Sequence, residues 1–251
     1  MTDINRYTTE YLRHYDEESF ELFLIGARRQ RVLKSIRKYP HKSILEVGCG
    51  VEPLFMFLED YDAYTVVDPS EEFVRRARRD AQSRANLRVL QGYLEDLADT
   101  GSLRTRSPFD FIIVSSLLHE VPDPSRLLQV VRRLSGPATT VHINVPNVYS
   151  FHRLLALEMG LIRNLFEPSD AEIRFQRRTR FDREALHRIV EENGFRVLHF
   201  ETYLVKPFSN DQMEKLLKHG IIGPETIEAL GAMSKHLPEM GCEMFLEAKI
   251  R

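Results

Sequence analysis

Two short apolar runs, each followed by residues suited to ligand binding, constrain the fold of this chain more than any other feature. Residues 44–47 lead into Gly48-Cys49-Gly50, and residues 64–67 lead into Asp68, eighteen residues after Gly50. Glycines let backbone approach a ligand, and a carboxylate can accept hydrogen bonds from both ribose hydroxyls. On adjacent parallel strands the two ends would meet at one sheet edge, where open α/β folds bind ligands. The pattern predicts a nucleoside-binding site.

Further apolar runs alternate with helical patterns along the rest of the chain. The other strand candidates are residues 87–90, 109–115, 139–145, 197–205 and 243–250, and helical spacing covers residues 17–38, 70–84, 124–134 and 182–193. Asp182 and Gly194 supply start and stop signals for the last of these helices. Alternation of this kind predicts an α/β fold with a doubly wound parallel sheet.

Two segments interrupt the alternation, and we interpret them as insertions into a single domain of residues 1–251. Residues 146–181 contain a helical pattern at 149–161 and an arginine-rich stretch at 167–180, and residues 206–241 contain helical patterns at 212–218 and 224–236. Both insertions are expected to form a substrate cap. Residues 1–40 are expected to form an N-terminal helical lid, in which Tyr7, Tyr11 and Tyr15 share one helix face.

Composition limits the classes of partner. The 35 basic and 37 acidic residues give a formal net charge of −2, so the chain lacks an overall field that would gather nucleic acid or an anionic membrane. The polar N-terminus and the lack of a long apolar stretch predict neither a signal peptide nor a membrane span. Two cysteines, Cys49 and Cys242, favour a reduced, cytoplasmic setting.

The residues around the glycine turn discriminate between nucleoside cofactors. A dinucleotide fingerprint requires a third glycine where this chain has Pro53, and Glu52 places negative charge near the expected phosphates. No Gly-Lys-Ser/Thr follows that would complete a phosphate loop. The site therefore suits a nucleoside without phosphates, such as S-adenosylmethionine. Glu46 would then hydrogen-bond the ammonium of the amino-acid tail, directly or through water.

Four ordered motifs resemble those of class I S-adenosylmethionine-dependent methyltransferases. Residues 45–50 look like the first motif, residues 66–70 like the ribose-binding motif and residues 91–97 like the adenine-side segment. Residues 110–124 are similar to the fourth strand and following turn of the small-molecule branch, which includes ubiquinone-biosynthesis O-methyltransferases. The resemblance implies a seven-stranded, mostly parallel, Rossmann-like methyltransferase fold. Val51-Glu52-Pro53 departs from the small residue that the family often has after the second glycine.

The motifs and their expected neighbours supply the candidate site residues. The predicted cofactor-binding residues are Glu46, Gly48, Cys49, Gly50, Asp68, Pro69, Gly92, Tyr93, Leu94, Ser115, Ser116 and Leu117. Cys49, Tyr93 and Leu94 equally suit ordinary core packing. The predicted substrate-binding residues are Tyr11, Asn147, Tyr149, Arg153 and Lys206. No compact set of metal ligands is present in the sequence, so no metal is expected.

His119 is the first candidate for a general base, because it follows a strand end where substrate and methyl group should meet. A neutral imidazole there could remove a proton from an alcohol, phenol or ammonium group. His152, at the start of the first insertion, is the second candidate. A structural role in the turn or around the cofactor remains the alternative for His119, and Glu120 could cap the helix near Pro124.

The function predicted from these residues is transfer of the sulfonium methyl group to an oxygen or nitrogen of a small molecule, with S-adenosylhomocysteine as the product. Direct displacement needs mainly collinear, dry positioning of the two reactants. Arginines at residues 174–180 could clamp an anionic group on the substrate or simply form a solvated face. A monomer or a homodimer is expected. The alternatives are a catalytically silent cofactor-binding regulator and an NAD-dependent oxidoreductase.

Overall fold

A single seven-stranded sheet organises the chain. The computed structural model describes residues 3–15, 19–82, 84–103 and 107–251. Its strands are β1 (Ser43–Val47), β2 (Ala63–Asp68), β3 (Leu87–Gln91), β4 (Phe109–Ser115), β5 (Ser135–Pro146), β6 (Phe195–Tyr203) and β7 (Glu243–Ile250). The strand order is β3-β2-β1-β4-β5-β7-β6. The strands from β1 to β5 pair in parallel, and β7 runs antiparallel between β5 and β6. This is the Rossmann-like methyltransferase fold that the motifs predicted.

The order of the strands reverses between β1 and β4, which are neighbours in the sheet although β2 and β3 lie between them in sequence. A doubly wound sheet opens a crevice at such a point, beyond the carboxyl ends of the strands. The residues that follow β1, β2 and β4 therefore converge on one place. This topology brings the glycine turn, Asp68 and residues 115–117 together.

Ten helices connect the described strands or flank them. They are α1 (Ile4–His14), α2 (Phe20–Ile36), α3 (Glu71–Asp80), α4 (Leu94–Asp99), α5 (Pro124–Leu134), α6 (Phe151–Glu158), α7 (Asp170–Arg174), α8 (Arg183–Glu192), α9 (Asn210–Lys218) and α10 (Pro224–Ala232). Asp182 caps α8 by accepting a hydrogen bond from the Ala185 amide, and Gly194 follows α8 with a φ of 83°. Both predicted boundary signals are confirmed. None of the helices in the described ranges is long and apolar enough to cross a bilayer.

The connection from β1 to β2 lacks the α-helix that a doubly wound fold usually places there. Only a four-residue 3-10 helix, Leu54–Phe57, forms in this connection, directly after Pro53 in an extended conformation. Leu54 and Phe55 are buried beside residues of α2 and α3, so the short turn fills the space of a helix. The departure at Val51-Glu52-Pro53 therefore changes the local structure and leaves the sheet intact.

Polar contacts attach α2 to the sheet along one side of the helix. Arg28 Nη2 lies 2.8 Å from Glu243 Oε1, and Arg31 Nη2 lies 3.2 Å from Glu201 Oε1. One turn later, the Ser35 hydroxyl donates to Glu247 at 2.6 Å. Glu243 and Glu247 lie on β7, so the helix is fixed to the antiparallel strand through charged groups. The division of the chain into a lid, a core and two substrate-capping insertions stays a prediction.

Candidate active site

A cavity of about 210 Å³ lies at the carboxyl edge of the sheet, beneath α1 and α2. All twelve predicted cofactor-binding residues line it, as does Tyr11 from α1. They come from the ends of β1, β2, β3 and β4, which the strand order places side by side. Motifs that are far apart in the sequence thus form one wall. Their individual contacts with a ligand stay predictions.

The glycine turn after β1 depends on two left-handed backbone conformations. Gly48 has a φ of 77° and Gly50 a φ of 58°, which glycine adopts without the steric cost of a side chain. The Gly48 amide donates to the Val67 carbonyl at 2.8 Å, so the turn folds back onto β2. A Cβ atom on Gly48 would also lie 3.5 Å from the Leu117 side chain. The turn therefore presents backbone to the cavity.

Asp68 ends β2 with its carboxylate inside this wall. It accepts hydrogen bonds from the Cys49 amide at 2.9 Å and from the Ser70 amide at 2.8 Å. Burial raises the pKa of Asp68 to about 6, although these backbone donors oppose the shift. No cationic side chain in the described ranges forms an ion pair with it. A ligand that donates hydroxyl hydrogens would complete its hydrogen bonding.

Glu46 has a role that its sequence motif did not reveal. Its carboxylate accepts from the Leu54 amide at 3.0 and 3.1 Å and from the Tyr64 hydroxyl at 2.8 Å, so it anchors the start of the 3-10 helix. Burial raises the pKa of Glu46 to about 7. Like Asp68, it forms no ion pair with a described residue. A cation in the cavity would stabilise its charged form, as the predicted contact with an ammonium group requires.

A second group of polar side chains, Tyr7, Glu120 and Arg177, lines the same cavity. Arg177 Nε lies 3.5 Å from Glu120 Oε1, and the Tyr7 hydroxyl interacts with the same carboxylate. Although burial opposes it, the contacts with His119, Arg177 and Tyr7 keep the pKa of Glu120 below its ordinary value. The sequence interpretation missed Glu120 as a cavity residue. Its position within residues 110–124 was the available signal.

Aromatic rings pack beside this polar group. Tyr7 and Tyr11 lie 5.9 Å apart between ring centroids, and Phe175 meets both edge-on at 6.3 and 6.5 Å. Tyr11 also meets Phe73 of α3 edge-on at 5.7 Å. The tyrosine spacing of α1 thus serves both packing and the cavity. Tyr15 stacks on Tyr11 at 6.4 Å and is not among the described residues that line the cavity.

The arginine-rich segment of the first insertion is held against both α1 and the turn after β4. The Gln176 side chain accepts from the Asp3 amide at 3.1 Å and donates to the Asp3 carbonyl at 3.2 Å. The amides of Arg178 and Thr179 donate to the His119 carbonyl at 3.0 and 3.2 Å. Gln176 has a φ of 54°, which turns the chain so that Arg177 enters the cavity.

The structure does not place either histidine candidate in the cavity wall. His119 is buried, its Nε2 lies 3.5 Å from Glu120 Oε1, and neither ring nitrogen has a hydrogen-bond partner in the described ranges. Burial lowers the pKa of His119. Burial, together with Lys206 and Arg153, holds the pKa of His152 well below its ordinary value. Catalysis by either residue stays a prediction that this geometry does not support.

Four of the five substrate candidates also lie outside the cavity wall, and three of them form structural hydrogen bonds. Asn147 donates to the Glu239 and Gly241 carbonyls at 3.0 and 2.9 Å. Arg153 donates to the carbonyls of Leu165 and Glu167, which holds the loop after α6. Lys206 is buried and donates to Asn210 Oδ1 at 2.7 Å. Tyr149 is 48% exposed and does not line the cavity.

Within the described ranges, no group of three or more His, Cys, Asp or Glu side chains could hold a metal ion. The polar groups that line the cavity include backbone amides, carboxylates and guanidinium groups. Two buried carboxylates without a cationic partner fit a nucleoside that carries positive charge. The residues present are therefore consistent with S-adenosylmethionine.

Comparison with known proteins identifies the family. A family model described as "Methyltransferase domain" matches residues 13–200, which is 188 of the 251 residues. No curated protein matches the chain.

Solved structures show the same fold at low sequence identity. An S-adenosylmethionine-dependent methyltransferase from Thermotoga maritima, described as a possible histamine N-methyltransferase, aligns with a TM-score of 0.60 and 17% identity over 98% of this chain and 97% of its own. The N-methyltransferase NodS from Bradyrhizobium japonicum WM9, in complex with S-adenosylhomocysteine, aligns with a TM-score of 0.58 and 12% identity over 98% of each chain. The [4+2]-cyclase SpnF aligns with a TM-score of 0.59 and 18% identity over 88% of this chain and 79% of its own. From the family match and the cavity, the chain belongs to the methyltransferase-domain family and is an S-adenosylmethionine-dependent methyltransferase.

Proposed function

We propose that this chain transfers the methyl group of S-adenosylmethionine to a nitrogen or oxygen atom of a small molecule by direct displacement. The observation that carries the proposal is the continuity of the cavity. Asp68 and the glycine turn line the same cavity as Tyr7, Glu120 and Arg177. A cofactor at one end and a polar acceptor at the other would share one pocket.

The cofactor supplies an activated methyl group, so the protein needs mainly to position and dehydrate the reactants. Asp68 and the backbone of the glycine turn would orient the nucleoside, and Glu46 would favour a cationic tail. Leu117, Val121 and Pro122 contribute apolar surface to the same cavity. Such surface excludes water from the line of attack and strengthens the electrostatic contacts around it.

The names of two structural neighbours support a nitrogen acceptor, since one is a possible histamine N-methyltransferase and the other an N-methyltransferase. The fold is also used by a [4+2]-cyclase, so the fold alone does not fix the reaction. The resemblance to ubiquinone-biosynthesis O-methyltransferases stays a prediction. Glu120 and Arg177, rather than the two histidines, would contact the acceptor.

Calorimetry with S-adenosylhomocysteine, combined with a radiolabelled methyl-transfer assay on small amines, phenols and alcohols, tests the proposal. We expect saturable binding of S-adenosylhomocysteine and label in at least one nitrogen or oxygen acceptor. The Asp68→Asn variant should weaken both signals together. Binding without transfer to any acceptor would favour the silent regulator, and binding of NAD in place of S-adenosylhomocysteine would favour the oxidoreductase.

A further inference from the structure

We propose that the acceptor is an amino carboxylate, a small molecule with an amine and a carboxylate a few bonds apart, held by Glu120 and Arg177 and methylated on nitrogen. This inference rests on the proposed methyl transfer and names the substrate class of the same cavity. It depends on three observations: the unsatisfied guanidinium of Arg177, the persistent charge of Glu120, and the balance of charges around the cavity.

Arg177 has hydrogen-bonding capacity that the protein does not use. Its Nε lies 3.5 Å from Glu120 Oε1 and has no hydrogen-bond partner in the described ranges. The remaining guanidinium nitrogens likewise form no hydrogen bond with the described part of the chain. The side chain is only 19% exposed, and it lines the cavity. A planar guanidinium with unused hydrogen-bond donors is suited to bind a carboxylate through two parallel hydrogen bonds.

Glu120 provides the complementary anion at the same place. Its side chain is 13% exposed and lies among His119, Tyr7 and Arg177, and it also lines the cavity. Because these contacts keep its pKa low, it remains ionised at neutral pH and is suited to hold an ammonium group. The rings of Tyr7 and Tyr11 line the cavity beside it and offer further stabilisation to a cation.

The balance of charge argues against an acceptor that is only anionic. Six carboxylates and three guanidinium groups line the cavity among the described residues: Glu21, Glu46, Glu52, Asp68, Glu95 and Glu120, with Arg28, Arg29 and Arg177. Arg28 pairs with Glu21 and Arg29 pairs with Glu52, which leaves Arg177 as the cation nearest Glu120. A lone carboxylate would add negative charge to this surface. A molecule with both charges satisfies Arg177 and Glu120 without changing the total.

The chemical step balances without a further reactant. The bound ammonium first loses a proton to solvent. The nitrogen lone pair then forms the new nitrogen–carbon bond while the sulfur–carbon bond breaks and its electrons stay on sulfur. The products are a methylated ammonium ion, which now carries the positive charge of the former sulfonium, and the neutral thioether S-adenosylhomocysteine. Glu120 holds the amine in place, and Arg177 fixes the orientation through the carboxylate.

The test compares matched acceptors in the methyl-transfer assay with the full chain: α-, β- and γ-amino acids, their methyl esters, which lack the carboxylate charge, and their N-acetyl forms, which lack the amine. We expect at least one free amino acid to be methylated on nitrogen, with kcat/KM at least tenfold above that of its ester and no transfer to its N-acetyl form. Arg177→Met should raise KM for that amino acid at least tenfold and abolish the preference over the ester. Arg177→Lys keeps the charge but lacks the planar guanidinium, so its KM for the amino acid should lie between those of the wild type and Arg177→Met.

Arg178→Met is the matched control, because Arg178 is exposed and adjacent in sequence but does not line the cavity. It should leave turnover unchanged, and all variants should bind S-adenosylhomocysteine with wild-type affinity, which also verifies folding. Esters methylated as well as the free acids would overturn the inference while methyl transfer stood. Methylation of phenols, alcohols or simple amines with no methylation of any amino acid would overturn it equally. Failure of the wild type to bind S-adenosylhomocysteine would overturn both proposals.

Discussion

The carboxylate of Asp68 accepts a hydrogen bond from the backbone amide of Cys49 at 2.9 Å, which joins the end of β2 to the glycine turn after β1. One side chain therefore fixes the turn and faces the cavity. The two functions respond differently to substitution. An asparagine retains one oxygen for the Cys49 amide but loses the charge that would strengthen hydrogen bonds from ribose hydroxyls.

Asp68→Asn should weaken binding of S-adenosylhomocysteine about 10- to 100-fold, since hydrogen bonds to a charged group contribute about 1.5–3 kcal/mol. Calorimetry measures the change. Asp62→Asn removes the same charge from an exposed position before β2 and should leave the affinity unaltered. Wild-type affinity in the Asp68 variant would rule out a direct contact with the ligand.

Affinity for S-adenosylhomocysteine should fall as pH decreases from 8 to 5.5. Burial raises the pKa of Glu46 to about 7 and that of Asp68 to about 6, so both carboxylates take up protons within this window and lose the charge that attracts the ligand. Titrations at several pH values would show the trend. Glu46→Gln should remove the part of the pH dependence that lies near pH 7. A wild-type affinity that does not change with pH would contradict the role of these carboxylates in binding.

The same shifts set the sign of stability for the cofactor-free chain. A carboxyl whose pKa is raised by folding binds its proton more tightly in the folded state, so stability declines as pH rises from the ordinary value of 4.5 towards 7. Bound S-adenosylhomocysteine favours the charged forms. The increase in melting temperature that it causes should therefore be larger at pH 8 than at pH 6, as thermal unfolding would measure.

Gly48→Ala should lower the free energy of unfolding by about 1–2 kcal/mol, because the alanine must adopt a left-handed conformation. It should also weaken cofactor binding, since the turn lines the cavity. Gly26→Ala is the opposite case: Gly26 lies inside α2, and a Cβ there meets no atom within 4 Å. That variant should gain up to about 1 kcal/mol from better helix propensity. Urea unfolding distinguishes the two, and equal destabilisation would contradict a special backbone requirement at Gly48.

Glu243→Ala should destabilise the chain by about 3 kcal/mol, because it leaves the buried Arg28 with Glu21 as its remaining carboxylate partner. Glu239→Ala removes a carboxylate from an ion pair with Arg183 in which both side chains are about half exposed. That loss should be below about 1 kcal/mol. Urea unfolding of both variants provides the measurement. Similar losses would show that α2 does not depend on its ionic attachment to β7.

The sequence was sufficient to predict the strands, because each contains a short segment rich in apolar residues. The four-residue 3-10 helix after Pro53 was not predictable in the same way, since it depends on the Glu46 carboxylate and on space beneath α2 and α3. Apolar periodicity reports which side of an element is buried. It does not report which short segment fills a remaining gap.

The cofactor end of the cavity was predicted more completely than the acceptor end for a related reason. Residues at strand ends have positions set by the sheet, whereas the turn after β4 depends on Ser116, which has a φ of 56°. The conformation of that turn places Glu120 in the cavity wall and buries His119 beside it. Asn147, Arg153 and Lys206 show a second limit. A polar side chain that satisfies backbone carbonyls has the same sequence appearance as one that binds substrate.

The paired hydrogen bonds between Asp3 and Gln176 have a dynamic consequence. Both hydrogen bonds are exposed, and each contributes only about 0.5–1.5 kcal/mol, whereas the strands beneath are held by the hydrophobic core. Separation of α1 from the arginine-rich segment must also break the edge-on contacts of Tyr7 and Tyr11 with Phe175, but it leaves the core around the sheet intact. It should therefore require less free energy than global unfolding. We expect this helix to open locally many times during the lifetime of one folded molecule. Hydrogen exchange should show its amides exchanging by local opening long before those of β1 and β4.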